Sequence, residues 1–286
     1  MYVFILMPIL SAIKVLTQAR YSKKSLNTFS DVLLYNAIAF FFSALVLSII
    51  FLRQLPPIEV WLYACISAIT NVLYQIFYTL TLKTGPVAVS AIINSFNIVF
   101  TLLAGAIFFN EQWSVYTIIG FAFMSVAFCL VPTKTDNKKA NLKWLCFIIL
   151  TFVSCGLYGV VMLFFSKSQF GTMKSEYVAI TFTIASVICL ILAFFNTKVR
   201  KEPISIKRNF ELPIVTLVIG GTLGLYNLLN VIAFQKFPSY IVSPVISGLI
   251  IILTMLASAV INKEKITLKM LIGTIFAVIA IVLLNL

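Results

Sequence analysis

Histidine is absent from this 286-residue chain, which removes His-ligated metal sites and imidazole acid–base chemistry. Carboxylates are scarce: eight, against 21 Lys and Arg. No HExxH, GxSxG or P-loop pattern occurs, so an enzyme, a metal site and a cofactor are not expected. Charged residues make up 10% of the chain, far below the roughly one quarter of a soluble domain. A solvated surface cannot be built from so few. The five cysteines, Cys65, Cys129, Cys146, Cys155 and Cys189, include no CxxC and read as small apolar core residues.

What fills the chain is apolar, 62% of it, arranged in long runs such as 32–52, 88–109 and 242–261. A membrane span needs about 20 predominantly apolar residues. Ten segments qualify, at roughly 2–19, 31–52, 59–82, 86–109, 113–131, 142–165, 176–195, 211–235, 239–261 and 267–285. They are too long, and too apolar on every side, for the alternating strands of a barrel. The expectation is an all-α, multi-pass protein of the cytoplasmic membrane. The first run has no basic residues ahead of it and reads as a retained helix rather than a removable signal.

The net charge of +13 is scattered through short loops. It reflects topology rather than a nucleic-acid face. Numbering the loops by the segments they join, the odd-to-even loops carry sixteen Lys and Arg: Arg20, Lys23, Lys24, Lys83, Lys134, Lys138, Lys139, Lys143, Lys198, Arg200, Lys201, Lys207, Arg208, Lys263, Lys265 and Lys269. The even-to-odd loops carry four, Arg53, Lys167, Lys174 and Lys236. Cytoplasmic loops hold the basic excess, so this count puts both termini outside. Asp31, Glu59, Glu176 and Glu211 stand at expected helix starts, where the dipole favours a negative charge. Trp61, Trp113 and Trp144 fall at helix starts too, as an interfacial belt would place them.

Residues 83–130 align with 236–283 at a constant offset of 153, with fifteen identities in 48 positions. The pairs include Lys83/Lys236, Ser90/Ser243, Thr101/Thr254, Ala104/Ala257, Glu111/Glu264 and Gly120/Gly273. Ser114 and Thr267 also align, each placed to cap the following helix. Five segments separate the copies, and an odd number inverts the second. The expected architecture is therefore ten transmembrane helices as two inverted five-helix repeats, 1–132 and 133–286. Inverted repeats recur in secondary transporters, with the solute held at their interface near the midplane.

The stretch from Tyr78 through Glu111 to Gly120 resembles the EamA-type members of the drug/metabolite transporter superfamily. It reads NEQWSVYTIIG at 110–120 and KEKITLKMLIG at 263–273, and the size and 5 + 5 layout match over nearly the whole chain. Members often carry a proline midway along helices 4 and 9. Here those places read Asn97-Ile98 and Ile250-Ile251, with Pro86 and Pro244 the nearest prolines. The resemblance implies efflux or exchange of metabolites, amino acids or drugs, and termini on the cytoplasmic side, opposite to the charge count.

Polar side chains inside spans are costly and often functional. The substrate-binding candidates are Lys14, Asn71, Tyr74, Gln75, Tyr78, Asn94, Asn97, Tyr158, Tyr226, Asn227, Asn230 and Ser247, with Ser243 beside them. Asn71, Tyr74, Gln75 and Tyr78 follow i, i+3, i+4, i+7 spacing and share a helix face. The alternative for these groups is hydrogen bonding between helices. Gly220 and Gly224 read as a close-packing pair. Glu111 and Glu264 read as loop and cap residues, with a gating role as the alternative. Lys14 either snorkels to the loop-1–2 interface or anchors an anionic group.

No acid lies near mid-span, which disfavours proton-coupled export of cations. The sequence thus points to alternating access for a small neutral or anionic metabolite, with the lipid bilayer and that solute as its partners. A homodimer is left open. A channel or a non-transporting membrane scaffold is the alternative.

Overall fold

A computed structural model describes residues 2–51, 56–111, 114–129, 142–206, 211–261 and 268–284. Among them every regular element is helical. The helices are α1 (Tyr2–Ser25), α2 (Phe29–Phe51), α3 (Ile58–Thr84), α4 (Val87–Ser95), α5 (Ile98–Phe109), α6 (Val115–Cys129), α7 (Leu142–Lys167), α8 (Lys174–Val199), α9 (Glu211–Lys236), α10 (Ser239–Ile261) and α11 (Leu268–Leu284). A 3-10 turn, Gly171–Met173, precedes α8. Arg53, Trp113, Lys134, Lys138, Lys139, Lys207, Arg208, Lys263, Glu264, Lys265 and Thr267 lie outside the described residues.

Apolar side chains coat these helices on the outside as well as within. On α2, Phe41, Leu45 and Ile49 are exposed at successive turns, and on α3 Leu62, Ile66, Ile69 and Leu73 are too. Such stripes suit lipid and not water. Among the described residues six helices are long and apolar enough to cross a membrane, namely α1, α2, α3, α7, α8 and α9, and shorter apolar stretches lie at Ile98–Phe109, Ser239–Ile250 and Leu271–Ala280. The chain is a multi-pass membrane protein, all-helical among the described residues.

The expected continuous span at 86–109 is two helices. Phe96 and Asn97 form a turn whose backbone bonds run i to i−3: Phe96 N to Ile93 O, Asn97 N to Asn94 O, and Val99 N to Phe96 O. No proline breaks it. The Asn97 side chain does the work by donating to the Asn94 carbonyl at 2.6 Å, a local bond that competes with the helical ladder. The aligned residue, Ile250, offers no such donor, and α10 runs through. α5 ends at Asn110, which adopts a left-handed conformation at φ 50°, one asparagine tolerates as a C-cap.

Packing partners pair up under the 153-residue offset, which relates α3 to α9, α4–α5 to α10 and α6 to α11. α3 packs on α7 as α9 packs on α1, and α9 packs on α2 as α3 packs on α8. α2 meets α8 and α6 meets α11. The α2–α9 contact is close because Gly220 lacks a side chain. Ser43 Oγ donates to the Gly220 carbonyl at 2.6 Å, and an added Cβ there would run into the Ala39 carbonyl oxygen, Phe42 Cβ and Ser43 N.

At one end of the helices the segment after α8 is clasped to the start of α2. Asp31 accepts backbone N–H bonds from Asn27 and Thr28 at 3.0 Å and from Ser205 and Ile206 at 2.8 Å. It is therefore a clamp on a second segment, beyond the dipole role expected of it. Glu202 accepts from Phe29 N at 3.0 Å and from Asn196 Nδ2 at 2.6 Å. The Phe29 amide first, and then the Asn196 amide, hold the Glu202 carboxyl below its ordinary range. Glu111 ties α5 to the start of α10, accepting from Ser239 N at 3.2 Å and from Ser239 Oγ, with Lys167 Nζ 4.0 Å away. Its expected cap role is thus made on a distant helix. Trp144 corrects the interfacial expectation: it is buried, and its Nε1 donates to Ser90 Oγ at 3.2 Å. Trp61 is exposed, and Ser114 directly precedes α6.

Two outcomes follow for stability. Gly220→Ala should destabilise by about 1–3 kcal/mol through overpacking. Gly221→Ala, with nothing within 4 Å of its Cβ, should not, as thermal melting in detergent will show. A depressed native pKa stabilises above the unfolded value and is lost as pH falls through the native one. Melting temperature should therefore drop on acidification below about pH 4, and less steeply in Glu202→Gln.

Candidate functional site

Seven helices send side chains to one internal cavity of about 110 Å³. One water needs only about 10–15 Å³, so the space admits a small solute or several waters. Its polar lining comes in pairs one helical turn apart. These are Ser11 and Lys14 on α1, Tyr74 and Tyr78 on α3, Cys155 and Tyr158 on α7, and Asn227 and Asn230 on α9. Asn94 ends the set on α4, Asn97 sits in the α4–α5 break, Thr101 follows on α5, and Ser247 comes from α10. Residues four or three apart fall on one face, so each helix turns a polar stripe inward and keeps apolar stripes outward.

Lys14 is 6% exposed. Its Nζ lies 5.2 Å from the centroid of the Tyr74 ring and 5.3 Å from that of Tyr78. The two rings stack on each other at 5.6 Å and 27°. The Lys14 side chain turns into the cavity, with its ammonium group over the Tyr74 and Tyr78 rings. Neither described ion pair involves it, and no carboxylate lines the cavity among the described residues.

Amides hold the walls in place. Asn97 Nδ2 also approaches Cys155 Sγ at 3.1 Å. Tyr158 donates its hydroxyl to Asn227 Oδ1 at 3.0 Å, while Asn227 Nδ2 donates to the Leu223 carbonyl at 2.8 Å. Asn94 Nδ2 lies 3.5 Å from the Tyr74 hydroxyl. Asn230 Nδ2 meets Met162 Sδ at 3.3 Å.

Ten of the twelve expected residues line this cavity: Lys14, Tyr74, Tyr78, Asn94, Asn97, Tyr158, Tyr226, Asn227, Asn230 and Ser247. Asn71 and Gln75 do not. They are buried on α3, rotated from the Tyr74–Tyr78 face toward the packed interior, so the shared face of four narrows to two tyrosines. The Ser243 side chain lies outside what is described. Ser11, Thr101, Cys155 and Gly159 were missed. One signal was present in the sequence: Ser11 is three residues before Lys14, Thr101 four after Asn97, and Cys155 three before Tyr158.

The model of the EamA-like transporter family matches residues 3–133 and 142–286. The chain belongs to the EamA-like transporter family. The match comes in two copies that together span almost the whole chain, and it places the chain in the drug/metabolite transporter superfamily that NEQWSVYTIIG and KEKITLKMLIG suggested. No curated protein matches the sequence. A crystal structure of a protein 13% identical superposes with a TM-score of 0.65 over 98% of this chain and 98% of that one. At that identity the likeness concerns the fold, which this EamA-like chain shares from end to end.

Replacing Asn97 with Leu would remove the 2.6 Å side-chain bond to the Asn94 carbonyl and leave it only the Asn97 backbone N–H at 3.1 Å. A typical intramolecular hydrogen bond contributes about 0.5–1.5 kcal/mol. Asn97→Leu should lower the melting temperature in detergent, and Asn97→Asp, which leaves no N–H to donate, should do so as well.

Proposed function

We propose that the chain is a secondary transporter of the cytoplasmic membrane that moves a small neutral or anionic metabolite, an amino acid or similar, by export or exchange. The observation that carries this reading is the buried cavity, lined from both family-matched stretches, with one lysine and no described carboxylate. Its polar lining is mostly amides and hydroxyls, which hydrogen-bond a polar solute. Lys14 supplies the positive charge for an anionic group.

The architecture that supports this function is ten crossings in two inverted five-helix repeats, 1–132 and 133–286. The offset of 153 and the matching of packing partners under it support the repeat. Lys14, Cys155 and Ser247 lie near the middles of α1, α7 and α10, and transporters of this build hold their solutes near the midplane. Rocking of the repeats about the cavity would expose it alternately to the two sides. Asn97 turns the α4–α5 backbone at the cavity wall, where irregular backbone is tolerated in a membrane. The Glu111–Ser239 contact joins the two repeats at one end, where such rocking must make and break contacts.

Reconstitution into liposomes tests the reading. The wild type should exchange at least one member of a panel of neutral and anionic metabolites. Lys14→Met and Asn227→Leu, inserted at normal levels, should each lower the rate tenfold or more. A wild type that carries nothing from a broad panel, or a Lys14→Met variant that carries the same solute at the same rate, counts against it. The basic excess supports a cytoplasmic segment after α8, against the family habit of cytoplasmic termini. A cysteine at exposed Lys201 should accordingly label from the cytoplasmic side, in a background without the native cysteines.

A further inference from the structure

Tyrosine faces converging on a buried space attract cations, and aromatic cages of this kind take quaternary ammonium groups. Tyr74, Tyr78, Tyr158 and Tyr226 all line the cavity, yet no carboxylate is described beside them to complete a cation site. The position a solute cation would take is instead held by the protein. Lys14 Nζ stands 5.2 Å and 5.3 Å from the Tyr74 and Tyr78 ring centroids, within the roughly 6 Å of a cation–π contact. It is tethered to the middle of α1 and has no described acidic partner.

We propose that Lys14 sets the charge selectivity of the cavity by filling its tyrosine cage with a built-in ammonium group, so that organic cations are excluded and neutral or anionic solutes admitted. The inference rests on the cavity being the solute site. It goes further by giving the cage an intrinsic taste for cations that Lys14 conceals. A solute ammonium entering the wild-type cage would meet a like charge in a water-poor space, where repulsion is strong. With the lysine neutralised, the same rings and the surrounding amides would accept a compact quaternary ammonium ion.

The experiment follows labelled tetramethylammonium into liposomes carrying the full chain, with the metabolite panel run alongside. Wild type and Lys14→Arg should admit no more than empty liposomes. Lys14→Ala and Lys14→Gln should each raise entry at least tenfold, and Tyr74→Leu added to Lys14→Ala should return it to background. Neutral variants that melt like the wild type and still admit no tetramethylammonium overturn the inference, as does a wild type that admits it equally well. If a metabolite is nonetheless carried, the transport reading stands and only the selectivity role falls. If no protein carries anything, both fall.

Should the neutral variants not fold, the wild type carries the test alone. Excess tetramethylammonium should leave its metabolite exchange unchanged, and inhibition of that exchange by tetramethylammonium overturns the inference.

Discussion

Lipid offers a backbone amide no hydrogen-bond partner, and the rest of this structure depends on that constraint. It forces the apolar runs into helices whose ladders close on themselves. It lets exposed faces carry Phe41, Leu45 and Ile49 without penalty. It also confines irregular backbone to places where side chains can complete the bonding. The α4–α5 break meets that condition. Asn97 returns a donor to the Asn94 carbonyl beside a cavity lined with other polar groups. The break and the cavity are therefore one feature: a ladder interrupted in lipid would be costly, and here the interruption faces inward.

The same constraint explains why the polar residues come in pairs. An amide inside a span is costly unless a neighbour or the contents of a cavity satisfy it, and buried Asn71 and Gln75 Nε2 are exceptions that find no hydrogen-bond partner among the described residues. Tyr158 with Asn227, and Asn97 with both Asn94 and Cys155, are satisfied across or along helices. The pairs cross-brace α7 to α9 and the α4–α5 turn to α7, which fixes the cavity wall while leaving its centre open. Hydrogen bonds between helices in membranes are individually modest, about 0.6 kcal/mol on average. Their role here is to set orientation more than to supply stability, which comes from close packing such as α2 against Gly220.

How much of this was legible follows from what helical spacing encodes. Hydropathy gave the runs because lipid selects for composition directly. The helix starts at Glu59 and Glu211 were legible because a charge ends an apolar run. Membership of the cavity was mostly legible, since a polar residue in a span is conspicuous. Asn71 and Gln75 misled because a face of four residues spans a wide arc, and only packing decides which part of it meets a cavity. Trp144 misled for a related reason: a tryptophan at a helix start has one preferred place in a lone helix and another when Ser90 of a neighbouring helix offers an acceptor. Lys14 had two readings because sequence spacing does not say which way a lysine in a span turns; its packing over Tyr74 and Tyr78 does. The clasp of Asp31 on Ser205 and Ile206 joins residues about 175 apart, and no local pattern announces it.

The two aligned stretches are not packed alike, and the difference bears on how they work. At offset 153, Ser67 and Asn71 of α3 correspond to Gly220 and Gly224 of α9. The glycines let α9 sit against α2 with backbone atoms in contact. Their counterparts put a Ser67–Tyr177 hydroxyl pair, 2.5 Å apart, between α3 and α8. One interface is thus sealed by shape and the other by a polar contact. Close glycine packing fixes helices through many small dispersion contacts that all fail together when the helices part. A hydroxyl pair survives small shifts by rotating. Under the alternating-access reading proposed above, a contact of the first kind suits a pivot and one of the second kind a moving interface. The cavity draws on both helices, with Tyr74 on α3 and Asn227 on α9.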